Sequence, residues 1–199
     1  MRTITTKTQA YTIHELSDKA KERAHHQWLE NFEFYGAEYV IVEAKEIASL
    51  MGWTIDKVFY SGFCSQGDGA CFEGTMRYAK GCYKNVVAYA PKATELHRIA
   101  KDWQDIQKRA FYALSAKVKQ SGHYMHSGCT SFDCTDTRTQ GGYMENAEIE
   151  ESIIQIGRDF MDWIYKQLEN AYDYETSLEA FIENCDANGY EFDEFGKML

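Results

Sequence analysis

The apolar positions of this chain change period several times along its length. In "IHELSDKAKERAHHQWLENF", Leu16, Ala20, Ala24 and Trp28 recur at near-helical spacing, and Ser17 is suited to cap the helix start. Gly36 breaks that run. Val40, Ala44, Ile47 and Ala48 then form one stripe of a second helix over residues 38–50, stopped by Gly52. A helical N-terminal part is therefore expected over 12–51. The period next falls to two. "WTIDKVFYSGF" is rich in aromatic and β-branched residues, as strands are. Phe72, Gly74, Met76 and Tyr78 alternate with Cys71, Glu73, Thr75 and Arg77, and "NVVAYA" reads as a third strand entered through Gly81. Short links between the three predict an antiparallel meander over 53–90.

Pro91 fits the first turn of a helix. Leu96, Ile99, Trp103, Ile106, Ala110, Leu114 and Val118 continue the clearest 3–4 pattern in the chain, so one helix is expected over 91–121, closed by Gly122. "HYMHSGCTSFDCTD" gives a fourth strand within 122–136, irregular around Gly128. Ile149, Ile153, Ile156, Phe160, Trp163 and Leu168 mark another long helix, and Thr176 with Glu179 reads as the capping box of a short one, placing helices over 145–185. "NGYEF" either adds an edge strand or turns back. The expected fold is a single α+β domain over 1–199. An antiparallel sheet of about four strands packs against several long helices, without the strand–helix alternation of a doubly wound fold.

Composition adds limits. With 44% apolar residues in 199, the chain can bury a core. A net charge of −10 disfavours direct nucleic-acid binding, because phosphates need clustered Lys and Arg. The acids concentrate after Glu145, opposed only by Arg158, Lys166 and Lys197, while 92–119 is basic. Such faces are either simply solvated or, in the sharper reading, an acidic surface for a basic partner. No run of 18 apolar residues offers a membrane span, and "MRTITTKTQAY" lacks an apolar leader, so a cytoplasmic location is expected. The six cysteines read mainly as small apolar packers, with Cys64 and Cys71 flanking a glycine-rich turn.

Two stretches hold candidate chemistry. "YSGFCSQGDGACFEG" places Ser65, Gln66 and Asp68 among Gly62, Gly67 and Gly69. Gly67 and the Asp68–Gly69 pair suit a tight hairpin, because glycine accepts positive φ. The turn either exposes a solvated Gln or lets a ligand reach backbone N–H groups beside Gln66 and Asp68. It is neither a P-loop nor a nucleophile elbow. "HYMHSGC" offers His123 and His126, with Cys129, Asp133 and Cys134 nearby. On a regular strand, residues three apart point to opposite faces, and His126 and Cys134 would stand roughly 26 Å apart, so no metal site is expected. Each histidine is either a polar or core strand residue or a ligand contact. No catalytic residue is assigned and no cofactor is expected.

Together "YTIHELSDKAKERA", "FYSGFCSQGDGACFEG", "HYMHSG" and "ANGYEFDEFGK" resemble a largely uncharacterised family of small cytosolic proteins encoded by tailed bacteriophages, in the same order over most of the chain. The specific part is the SGFxSQGDGAxFxG core. Ser65, Gln66, Gly67, Asp68 and Gly69 match it, and His123 and His126 match the family's histidine segment. The resemblance implies a phage-encoded accessory protein of the host cytoplasm. By analogy with other small phage proteins, such a protein binds and inhibits a host protein, an antiviral-defence component being the expected target. The competing expectation is a nucleotide or other small-molecule binding protein or hydrolase, with Ser65, Gln66, Asp68, His123 and His126 as its contacts.

Overall fold

The computed structural model describes residues 1–2, 7 and 9–199. Its elements run in the order α1 (Asp18–Leu29), α2 (Gly36–Met51), β1 (Trp53–Tyr60), β2 (Ala70–Met76), α3 (Cys82–Tyr89), α4 (Thr94–Arg109), β3 (Leu114–Gln120), β4 (Thr130–Asp136), α5 (Ala147–Glu175) and α6 (Leu178–Asn188). The four strands form one antiparallel sheet in the order β1-β2-β3-β4. The fold is α+β. Two compact units emerge, one of Glu38–Glu169 and one that joins Met1–Ala37 to Asn170–Leu199.

The first of these units holds the sheet. One sheet face is apolar and carries Trp53, Ile55, Phe72, Met76, Leu114, Ala116 and Val118, all buried. The ring of Trp53 meets Trp103 of α4 and Phe160 of α5 edge-on, with centroids 5.5 and 5.4 Å away. Such T-shaped contacts add to the burial of large aromatic surfaces. The other face is polar: Lys117 pairs across the strands with Thr75 and Asp133, and Lys57 with Glu73.

Strand β2 meets β3 over only three residue pairs, from Gly74↔Val118 to Met76↔Ala116. Continuing that register would set Leu114 opposite Tyr78 and Gln120 opposite Phe72. Side chains take over at both ends instead. The carboxamide of Gln107, wholly buried on α4, donates to the Leu114 carbonyl at 2.9 Å and accepts the Leu114 N–H at 3.4 Å. A carboxamide has the donor and acceptor of a peptide group, so it stands in for a strand residue. At the other end, the Glu73 carboxylate accepts the Gln120 N–H at 3.3 Å.

Four expectations are corrected in this unit. The helix expected to reach 121 ends at Arg109, and β3 follows. The helix closes with a Schellman pattern: Tyr112 N–H donates to the Gln107 carbonyl and Phe111 N–H to that of Lys108. The left-handed position usually held by glycine is taken by Phe111, φ +53°, followed by Tyr112, φ +63°. Each costs about 1–2 kcal/mol relative to a right-handed residue. With no glycine to announce the stop, the apolar pattern runs on, since Leu114 and Val118 share a face in a strand as well as in a helix. The expected strand "NVVAYA" is helix α3, whose buried residues Cys82 and Val86 lie four apart and whose start is Gly81 at φ +77°. The fourth strand is confined to Thr130–Asp136, and 121–129 is a loop with a 3₁₀ turn at Ser127–Cys129. Pro91 precedes α4 by three residues rather than opening it.

The second unit packs α1, α6 and a 3₁₀ turn at Ile13–Glu15 around Ile13, Leu16, Ala20, Ala24, Phe181, Cys185 and Phe192. Ser17 caps α1 by accepting the Ala20 N–H. Helix α6 is capped by Ser177, one residue later than the capping box predicted, while the Thr176 hydroxyl donates to the Tyr172 carbonyl. His26 is exposed. His25 is half-buried: its ring stacks against Trp28 and Phe181 and its Nε2 lies 2.9 Å from the Thr176 carbonyl oxygen. "NGYEF" turns back, with Phe192 bridging to Tyr11 and Met198.

Replacing Gln107 with Leu strands the N–H and C=O of Leu114 in the interior. Urea denaturation is expected to show a loss of about 2–6 kcal/mol, from a penalty of roughly 1–3 kcal/mol for each of the two orphaned groups, with an unchanged m-value.

Candidate functional site: two interlocked loops at one end of the sheet

An antiparallel meander returns alternate connections to the same end of the sheet. The β1–β2 loop (61–69) and the β3–β4 loop (121–129) therefore lie side by side. They carry all five candidate site residues.

The first loop is closed by Asp68. Its Oδ2 accepts the backbone N–H groups of Cys64 at 2.9 Å and Ser65 at 2.7 Å, and its own N–H donates to the Ser65 carbonyl. Phe63 stacks between Tyr60 and Tyr165 of α5, and the Tyr165 hydroxyl donates to the Gly62 carbonyl at 3.2 Å. Burial, aided by the Asp68 charge, raises the Tyr165 pKa above the usual phenol value. Ser65 and Gln66 are left exposed at the loop apex, while the Asp68 carboxylate is turned back into the loop it organises.

The second loop starts where the Gln120 amide donates to the Gly122 carbonyl. His123 is exposed and meets the Tyr124 ring edge-on at 5.5 Å. Tyr124, 55% exposed, stacks on half-buried His126 at 6.0 Å. The 3₁₀ turn brings residues three apart onto one side, so His126 Nε2 comes within 3.6 Å of the Cys129 thiol. Reading the segment as a strand hid this pair. The signal that pointed to it was Gly128 between them.

The loops interlock through glycine. A Cβ on Gly67 would stand 2.9 Å from the Tyr124 ring, and one on Gly69 would stand 2.5 Å from the His126 Cβ and 2.6 Å from its Cα. Neither glycine has positive φ. The tight-turn explanation is thus replaced by another: these glycines admit the neighbouring loop, and the connection spans nine residues. Gly69 thereby sets Asp68 and His126 on adjoining loops, with Gln66 and His123 exposed beside them. The five clefts described in the structure are lined by other residues.

Among the described residues, no group of three or more His, Cys, Asp or Glu side chains is placed to hold a metal ion. All six cysteines are free. Burial pushes the thiols of Cys71, Cys82 and Cys185 up to about 11 and that of Cys134 up to about 12. Cys64 is exposed and Cys129 is half-buried, with its thiol 3.6 Å from His126 Nε2.

Two outcomes follow from this geometry. Gly69→Ala, which drives a methyl into backbone, is expected to destabilise by about 1–3 kcal/mol in denaturant titration. Gly67→Ala, which meets only the movable Tyr124 ring, costs less. Iodoacetamide at neutral pH, followed by peptide mass spectrometry, should label Cys64 first and Cys129 second. Cys71, Cys82, Cys134 and Cys185 should stay unmodified until the protein is unfolded.

Comparison with known proteins places this arrangement in a family. The model of a domain of unknown function, DUF8835, matches residues 37–178, which takes in the whole sheet and both loops. No curated protein and no solved structure matches the chain. With well over half of its residues covered, the chain belongs to the DUF8835 family.

Proposed function

We propose that this chain is a bacteriophage-encoded accessory protein of the host cytoplasm. It binds and inhibits a host protein, a component of antiviral defence, with the paired loops as its contact surface. The observation that carries the binding role is the fate of Asp68. One carboxylate oxygen, Oδ2, accepts two backbone N–H groups of its own loop, so the side chain serves as a brace. The loops are locked to each other at Gly67 and Gly69 and present Ser65, Gln66, His123 and Tyr124 outward. A polar–aromatic surface on interlocked loops suits a protein partner, because little ordering entropy remains to be lost on binding. The phage setting rests on the resemblance of the SGFxSQGDGAxFxG core.

A small-molecule role is the second reading, favoured by the His126–Cys129 pair at the foot of the loops. Thermal-shift measurements with nucleotides separate the two: stabilisation that Cys129→Ala abolishes supports a ligand site there.

The test of the first reading is affinity capture from bacterial lysates with wild-type protein and a Gln66→Ala/Tyr124→Ala variant. One partner is expected with the wild type and at least about tenfold less with the variant, as for the loss of an aromatic contact at an interface centre. Equal capture by both proteins, or capture by neither, overturns the proposal.

A further inference from the structure

The opposite end of the sheet carries a second surface that the paired loops do not involve. Phe111 and Tyr112, which join α4 to β3, are 80% and 52% exposed, and both are held in the left-handed region. Glycine or asparagine would occupy those positions with less strain. The buried Gln107 fixes the turn from below, accepting the Tyr112 N–H on its backbone carbonyl at 2.7 Å while its side chain holds Leu114. The Tyr112 ring lies 4.7 Å from that of Tyr78. An exposed pair of aromatic rings on a strained, over-determined turn is what a binding anchor requires, and it is a poor choice for a mere connection.

The residues that flank these rings in sequence are basic, opposite to the charge of the chain as a whole. Arg77 and Lys80 flank Tyr78 in sequence, and Lys108 and Arg109 end α4 just before Phe111. Arg77, Lys80 and Arg109 are exposed, and none makes an ion pair among the described residues. Arg109 does line a cleft with Asp102, Asp105 and Asp159, but those carboxylates are already engaged: Asp102 and Asp159 by Arg98, and Asp105 by Lys101 and Lys108. Unspent cations beside exposed aromatic rings select a ligand with carboxylates and an apolar or aromatic side chain.

We propose that the Tyr78–Phe111–Tyr112 surface docks a short acidic peptide segment of a partner protein. Its carboxylates meet Arg77, Lys80 and Arg109, and an apolar side chain rests on Phe111. A long polyanion such as single-stranded nucleic acid would have to continue past the acidic remainder of a chain of net charge −10. A peptide confined to the patch does not.

The test begins with selection of short random peptides, displayed on yeast, against the full chain. It continues with fluorescence anisotropy of a labelled selected peptide. The enriched peptides should be rich in Asp and Glu around an aromatic or aliphatic residue, and should bind more weakly as salt is raised. Phe111→Gly and Arg109→Glu should each weaken binding at least about tenfold, a loss of about 1.4 kcal/mol or more. Phe111→Gly should keep or raise the melting temperature, because it relieves the left-handed residue, so its loss of binding is not unfolding. The Gln66→Ala/Tyr124→Ala variant should bind as the wild type does. The proposal is overturned if no acidic peptide is enriched, if affinity survives both patch substitutions, or if only the loop variant loses it. Tighter binding of labelled oligothymidylate than of the peptide overturns it in favour of nucleic acid.

Discussion

One buried carboxamide holds the sheet-bearing unit together at its weakest seam. Strands β1 and β2, like β3 and β4, are neighbours joined by one loop, and each pair runs a long ladder. Strands β2 and β3 are separated by two helices and share only three residue pairs. Gln107 lengthens that seam from α4, so the same side chain ties the helix to the sheet and fixes where β3 begins. If Leu114 were left without those bonds, its interior N–H and C=O would both lack partners, a cost comparable to a large share of a domain's net stability. The placement of β4, and with it of the 121–129 loop, depends on β3 being held in register.

The sequence was legible where pattern and punctuation agreed. Helices α1 and α2, strands β1 and β2, and α5 carry clear periods, and the α+β class follows from them. It misled where one pattern serves two structures. Leu114 and Val118 are four apart, a spacing that a strand and a helix both place on one face. The decisive stop, a left-handed residue after Ala110, is filled by Phe111 rather than glycine, so nothing in the local residue types marks it. Cys82 and Val86 show the converse, because valines that favour strands in isolation were recruited to α3 by burial against α4.

The candidate site was legible as a set of residues but not as a mechanism of assembly. Both loop segments stood out, but the topology that brings them together was not legible, because the third strand was expected at "NVVAYA" and is instead Leu114–Gln120. The roles were not readable. Gly67 and Gly69 of the first loop look like turn residues, and only the position of His126 and Tyr124 reveals that they are contact residues. Asp68 looks like an outward polar group, and only its two backbone partners reveal a brace. A sequence lists what a residue can do; which of those capacities is consumed internally depends on neighbours distant in the chain.

The fit between Gly69 and His126 makes the two hairpins a single heritable module. A side chain at 69 demands retreat of the segment opposite, so drift in one loop is admissible only with compensation in the other. Diversity at this end of the molecule should therefore accumulate at the apex positions, where Ser65, Gln66 and His123 touch no such lock, and the same sites are where specificity can be rewritten without rebuilding the scaffold.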